Sequence, residues 1–155
     1  MIKMDMSWSD GYELGIELID QQHRRLFTYL EEVEIAIKNR DAETIELVVR
    51  GMVDYAITHN SFEETLMEQA QYPGLKEHHL QHEKFKKRAN TYIKRLEGNV
   101  DRFKLAEQVR VFLGLWLISH VKNDDQDYAP YVRKHLKHKH PLIATAFNKL
   151  FRRSA

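Results

Sequence analysis

The sequence predicts an all-α protein: an up-down-up-down four-helix bundle with an N-terminal arm and a short extra C-terminal helix. Three observations predict it. Apolar residues recur at alternating three- and four-residue steps in four separate stretches, the pattern of a helix face turned into a bundle. Turn residues fall between those stretches, where short connections favour antiparallel neighbours. No stretch alternates polar and apolar residues as a half-buried strand would. With 155 residues, the chain is long enough for one domain with its own core. Its 43% apolar and 30% charged residues exclude a disordered polymer.

Residues 1–18 precede the first periodic stretch and carry Trp8, Tyr12, Leu14 and Ile16. They are expected to form an irregular arm packed on the bundle. The first helix presents Ile19, His23, Leu26, Leu30, Val33 and Ile37 on one face. Asp41 is placed to cap the second helix, whose stripe is Ile45, Val48, Met52, Tyr55, His59, Phe62 and Leu66. Tyr72-Pro73-Gly74 ends it. The third stripe is Leu75, His78, His82, Phe85, Ala89, Tyr92 and Leu96, closed by Gly98-Asn99. Asp101 caps the fourth, with Leu105, Val109, Phe112, Trp116 and His120. Residues 1–132 thus form the bundle unit and 133–155 a basic amphipathic extension. In that extension Leu142, Ile143, Ala146, Phe147, Leu150 and Phe151 line one face of a short fifth helix.

The chain has no cysteine, which excludes disulfides, thiolate metal sites and cysteine nucleophiles. No apolar run approaches the ~20 residues of a membrane span. The first residues lack the basic and apolar regions of a signal peptide. A cytoplasmic location is expected. The formal net charge is +1, but seven of the 24 Lys and Arg residues, and none of the 23 acids, lie in 133–155. An acidic body with no recognition motif argues against nucleic acid as a partner.

Five histidines occupy the apolar stripes: His23, His59, His78, His82 and His120. They come from four helices, so the bundle turns all five toward one core. An unpartnered buried polar group costs roughly 1–3 kcal/mol. Five of them would consume much of a domain's ~5–15 kcal/mol. Shared partners are required, and a metal centre supplies them. Glu63 lies four residues after His59 and His82 four after His78, each pair on one helix face. Asp125 lies five after His120, which in a regular α-helix separates them by roughly 140°. Both point inward only if the helix loosens locally, as in a π-bulge. His79 is expected at the surface, and His135, His138 and His140 in solvent.

Imidazole with carboxylate and no thiolate suits iron, manganese, zinc or copper. Seven candidate ligands exceed the four of a closed zinc site and fit two ions sharing bridging carboxylates. Ferritin-like di-iron bundles use Glu-x-x-His motifs, and no histidine here follows a Glu at that spacing. The donor set is richer in neutral nitrogen. Lower ligand charge stabilises an oxidised pair less, which favours reversible binding over O2 cleavage.

The segments "GIELIDQQHRRLF", "HNSFEETLM", "YPGLKEHHLQHEKF" and "WLISHVKNDDQDY" together resemble the bacterial hemerythrins over about residues 8–131. The resemblance implies a four-helix bundle around a non-haem di-iron centre. It implies that His78, His82 and His120 saturate one iron and that His23 and His59 hold the other, leaving one position open. Glu63 and Asp125 would bridge the two ions together with an oxo or hydroxo group. Reversible O2 binding at the open iron follows, as an oxygen carrier, store or supplier rather than an enzyme. Leu26, Asn60, Trp116 and Leu117 are expected to line the O2 pocket. The family usually has Phe directly after the second ligand histidine, where this chain has Asn60. Tyr128, three residues after Asp125, is placed to hydrogen-bond near the site or to pack, and packing is the favoured reading. Two other readings remain at this point. One is an O2 or redox sensing module acting on a separate partner. The other is a di-iron redox enzyme acting on peroxide or nitric oxide. A monomer is expected. The tail offers a contact for a membrane surface or an acidic protein.

Overall fold

A computed structural model of the chain describes residues 4–137. Four helices carry the architecture: α1 (Glu17–Lys38), α2 (Ala42–Gln69), α3 (Leu75–Leu96) and α4 (Arg102–Ser119). Contacts of α1 with α2, α2 with α3, α3 with α4 and α4 with α1 close the ring of the bundle. No strand occurs among the described residues. The proposed fifth helix at 142–151 lies outside them.

The predicted caps hold the connections. The Asp41 carboxylate accepts the Thr44 N–H at 3.1 Å, and that of Asp101 accepts the N–H groups of Phe103 and Lys104. Each satisfies backbone donors that the first helical turn leaves without a partner. The buried faces are broader than the predicted single stripes. On α2, Val49, Val53 and Ala56 are buried while Val48 and Tyr55 are half-buried. On α4, Ala106, Leu113, Gly114 and Leu117 are buried while Phe112 and Trp116 are half-buried. The reason lies in the packing: α4 touches α1, α2 and α3, so one line of residues is too narrow to cover its contacts.

The arm packs as expected, with Met6, Tyr12, Leu14 and Ile16 buried. Gly15 bends it at a φ of 75°, a left-handed conformation that favours glycine. The Leu14 N–H then donates to the buried Asp20 carboxylate at 2.8 Å, and the Arg133 guanidinium donates to the Leu14 carbonyl. One residue of the arm is thereby tied to both ends of the fold.

After Ser119 the fourth helix widens into a π-helical segment, His120–Asp125, and then resumes as α-helix over 126–137. The five-residue spacing of His120 and Asp125 predicts this bulge, and both residues are buried. His135 departs from expectation. It is half-buried with a solvent-shielded Nε2, because the helix continues past it and Leu136 packs on the core.

The core falls into two apolar clusters. One gathers Leu26, Leu30, Ala56, Phe85, Leu117 and Val121. The other gathers Ile19, Phe62, Leu66, Tyr128 and Val132. Along α1 the order is Ile19, His23, Leu26, and along α3 it is Leu75, His78, His82, Phe85. A polar layer therefore crosses the bundle between the two clusters.

Inserting one alanine after the exposed Asn123 should lengthen the interval from His120 to Asp125 to six residues and swing Asp125 by about 100° out of the polar layer. The expected result is protein of near-native helicity by circular dichroism that no longer retains two metals per chain in elemental analysis. Full metal retention would show that the bulge does not position Asp125.

Candidate metal centre

The polar layer holds all seven predicted ligands: His23 from α1, His59 and Glu63 from α2, His78 and His82 from α3, and His120 and Asp125 from the π segment. Each is 4% exposed or less. Their donor atoms form two groups. Glu63, His78, His82 and His120 make one, and His23, His59, Glu63 and Asp125 make the other. Within each group the candidate atoms lie within 4.8 Å of one another.

The two carboxylates face both groups at once. Glu63 Oε1 lies 3.2 Å from His23 Nε2 and 2.9 Å from His59 Nε2. Its Oε2 lies 3.6 Å from His78 Nε2 and 3.5 Å from His82 Nε2. Asp125 Oδ2 lies 3.2 Å from His23 Nε2, while its Oδ1 lies 3.3 Å from His78 Nε2 and 3.1 Å from His120 Nε2. Each carboxylate thus offers one oxygen to each group of histidines, the arrangement of a bridge between two cations.

The outward ring nitrogens are held by groups that the sequence reading missed. His59 Nδ1 donates to Gln22 Oε1 at 2.6 Å, and His120 Nδ1 donates to Asp124 Oδ2 at 3.0 Å. Glu64 Oε2 lies 3.6 Å from His82 Nδ1, and its other oxygen meets Nδ1 of the exposed His79. An amide oxygen or a carboxylate only accepts, so the proton of His59 and His120 is placed on Nδ1 and the lone pair of Nε2 points inward. The four-residue spacing of His120 and Asp124 was the available signal. Tyr128 does both things expected of it: its ring packs in the core and its hydroxyl donates to Glu63 Oε1 at 3.0 Å.

These residues fit a pair of cations. His23 and His59 bring their Nε2 atoms to 3.1 Å, and His82 and His120 bring theirs to 2.9 Å. Two lone pairs at that distance repel unless a proton or a cation is shared. His78 Nε2, Glu63 Oε2 and both Asp125 oxygens are buried without a hydrogen-bond partner. Cations satisfy all of them together, and the nitrogen-rich, thiolate-free set suits a first-row transition metal.

In the metal-free protein, protons take the cations' place. Burial opposes charge on His23 and His78, but contacts with Asp125 and Glu63 outweigh it and raise both to about 9. His120 is likewise disfavoured by burial, yet the Asp125 charge and the Asp124 and Asp125 hydrogen bonds raise it to about 10. Burial pushes His59 down. Burial would raise Glu63, but His59, His23 and His78 hold it well below the usual carboxylate range. Asp125 is lowered too, against burial and the Glu63 charge, by His120 and His23.

Of the expected pocket residues, Leu26, Asn60 and Leu117 are buried. Asn60 Oδ1 has no hydrogen-bond partner. Trp116 is half-buried, and its ring lies against His120, Phe85 and His82. It stands on the three-histidine side of the centre.

A four-helix bundle whose core carries two histidine groups joined by two carboxylates belongs to the class of non-haem, dimetal-binding helical proteins. Comparison with known proteins gives the family. The Hemerythrin HHE cation binding domain matches residues 14–132. The chain is 38% identical to a bacteriohemerythrin of Stenotrophomonas maltophilia, over 83% of this chain and 82% of that protein. It is 34% identical to a Pseudomonas aeruginosa bacteriohemerythrin, over 81% and 80%, and 28% identical to a Riftia pachyptila myohemerythrin, over 78% and 88%. The chain belongs to the hemerythrin family.

The charge pattern sets the pH response of the metal-free protein. His23, His78 and His120, raised above 6.5, contribute stability that is full below pH 6.5 and lost as pH rises through about 9 to 10. Glu63 and Asp125, lowered, contribute stability present above their ordinary 4.5 and 3.8 and lost as pH falls through their folded values. His59, lowered by burial, subtracts stability below 6.5. The thermal midpoint of metal-free protein should therefore fall between pH 6.5 and pH 10. Metal-loaded protein, with these imidazoles neutral as ligands, should fall much less. Equal alkaline losses in the two forms would contradict this assignment.

Proposed function

We propose that this chain binds O2 reversibly at a di-iron centre, as an oxygen carrier, store or supplier without catalysis. One observation carries the reading: two bridging carboxylates join a group of three histidines to a group of only two. His78, His82 and His120 would hold one iron, and His23 and His59 the other. Glu63 and Asp125 would bridge them, together with an oxo or hydroxo group. The histidine-poor ion is then one ligand short, and that position is where O2 would enter. When bound, the iron pair supplies the two electrons that O2 takes up on binding and returns on release.

The protein's own residues make the exchange reversible. Gln22 and Asp124 fix the imidazoles through their outward nitrogens, so the ligand geometry does not reorganise between states. The Tyr128 hydroxyl holds Glu63 Oε1 and steadies the bridge. Leu26 and Leu117 supply apolar wall that keeps water from the open position. Asn60 would be the exception in that wall: its buried amide oxygen has no hydrogen-bond partner, and water drawn to it would help the bound oxygen leave in its two-electron-reduced form, with both irons left oxidised. The same polar residue is the feature that favours redox turnover as a second reading.

Among the described residues no helix is long and apolar enough to cross a membrane. A cytoplasmic, monomeric protein is our reading of a cysteine-free chain whose bundle unit is residues 1–132. The extension, 133–155, would serve as the contact for a membrane surface or an acidic partner.

Elemental analysis should give two irons per chain, and anaerobically reduced protein should gain a visible band in O2 and lose it on deoxygenation. Immediate oxidation without a reversible band, with steady consumption of added peroxide, would replace the carrier by a redox enzyme. Asn60→Phe should slow autoxidation severalfold, followed by decay of the oxygenated spectrum in air. Equal rates in the two proteins would remove Asn60 from the account.

A further inference from the structure

We propose that the groove between α3 and α4 is the docking site of an acidic one-electron carrier protein, and that Trp116 passes its electrons toward the centre through His120. The inference rests on the di-iron reading above. It concerns the oxidised, O2-incompetent form, which needs two electrons to become competent again.

The groove is built from two adjoining hollows. One, of about 620 Å³, is lined by Arg88, Tyr92, Val111, Phe112, Leu115 and Trp116 among others. The next, of about 330 Å³, shares Arg88, Phe112 and Trp116 and reaches Phe85 and His120. Its floor is a run of stacked rings. The Phe112 and Phe85 centroids lie 5.6 Å apart at 15°, Phe85 and Trp116 4.1 Å apart at 29°, and Trp116 and His120 4.5 Å apart at 17°. Trp116 therefore touches solvent on one side and a proposed iron ligand on the other. Core packing alone does not require a half-exposed indole laid flat on that imidazole. Leu115, 51% exposed, adds apolar surface to the same wall.

Charge selects the partner. Residues 84–95 of α3 carry Lys84, Lys86, Lys87, Arg88, Lys94 and Arg95, all exposed, and no acid. Lys84 and Arg88 stand on the groove's edge, and Arg95 lies over the Tyr92 ring; the two acids that also line the hollows, Glu107 and Asp124, are engaged by Arg110 and His120. The body of this chain is otherwise acidic, so this basic patch is local. An apolar aromatic floor with a basic rim fits an acidic protein that buries its redox group at a small, charge-steered contact. In each encounter the reduced carrier loses one electron and one ferric ion becomes ferrous. Two encounters would return both irons to the ferrous state, with one solvent proton taken up where the bridge is oxo.

The probe is a small acidic [2Fe–2S] ferredoxin at low ionic strength. Calorimetry with both proteins oxidised reads binding, and stopped-flow absorbance reads reduction of the iron-loaded protein. Wild type should bind and be reduced, both weakening steeply with salt. The exposed double variant Lys84→Glu/Arg88→Glu should weaken binding and slow reduction at least tenfold, with unchanged reduction by dithionite. At saturating ferredoxin, where affinity no longer matters, Trp116→Leu should slow reduction of the iron-loaded protein at least tenfold. Absence of binding by wild type, or a double variant that matches it, would overturn the proposal. A protein that holds two irons and is reduced by dithionite yet ignores ferredoxin sinks this inference alone. A protein without two irons sinks the functional reading beneath it.

Discussion

A layer of seven buried polar side chains crosses the middle of the bundle, and the rest of the structure is arranged around its need for positive charge. Glu63 and Asp125 are fully buried, each facing at least three imidazole nitrogens. Carboxylates in such a place are costly without paired cations. Protons on His23, His78 and His120 meet part of the demand, and a pair of metal ions meets all of it. Metal binding and folding stability are for that reason one problem in this protein.

The apolar clusters on either side of the layer act as clamps. Ile19, Phe62, Leu66 and Tyr128 hold one side, and Leu26, Ala56, Phe85 and Leu117 hold the other. Each ligand-bearing helix is anchored above and below its ligand, so the imidazoles cannot be displaced without disturbing packed core. The π segment adds what an α-helix lacks. It turns His120 and Asp125 to the same side and then returns Tyr128 to the core, where its hydroxyl reaches Glu63. The two groups of histidines are unequal because of helix supply: α3 gives two histidines where α1 and α2 give one each.

Surface and centre are connected unevenly. The two-histidine side is bounded by buried residues such as Leu26, while the three-histidine side reaches solvent through Trp116 and the basic rim of α3. The bundle thus places its enclosed apolar residues and its solvent-reaching aromatic residues on different sides of the polar layer.

Much was legible in the residues alone. The histidines on the apolar stripes, the spacings of His59 with Glu63 and His78 with His82, and the five-residue interval to Asp125 specify a dimetal bundle and even its π-bulge, because helix geometry converts spacing into direction. Asp41 and Asp101 as caps follow from local chemistry for the same reason. What the sequence could not determine depends on neighbours distant along the chain. The bond from Tyr128 to Glu63 spans 65 residues, that from His59 to Gln22 spans 37, and the tie from Arg133 to Leu14 spans 119. The wider buried faces of α2 and α4, and the side on which Trp116 meets the centre, were likewise set by how the helices rotate against one another. Periodicity fixes which residues share a face of one helix; only packing decides which face of the next helix they meet.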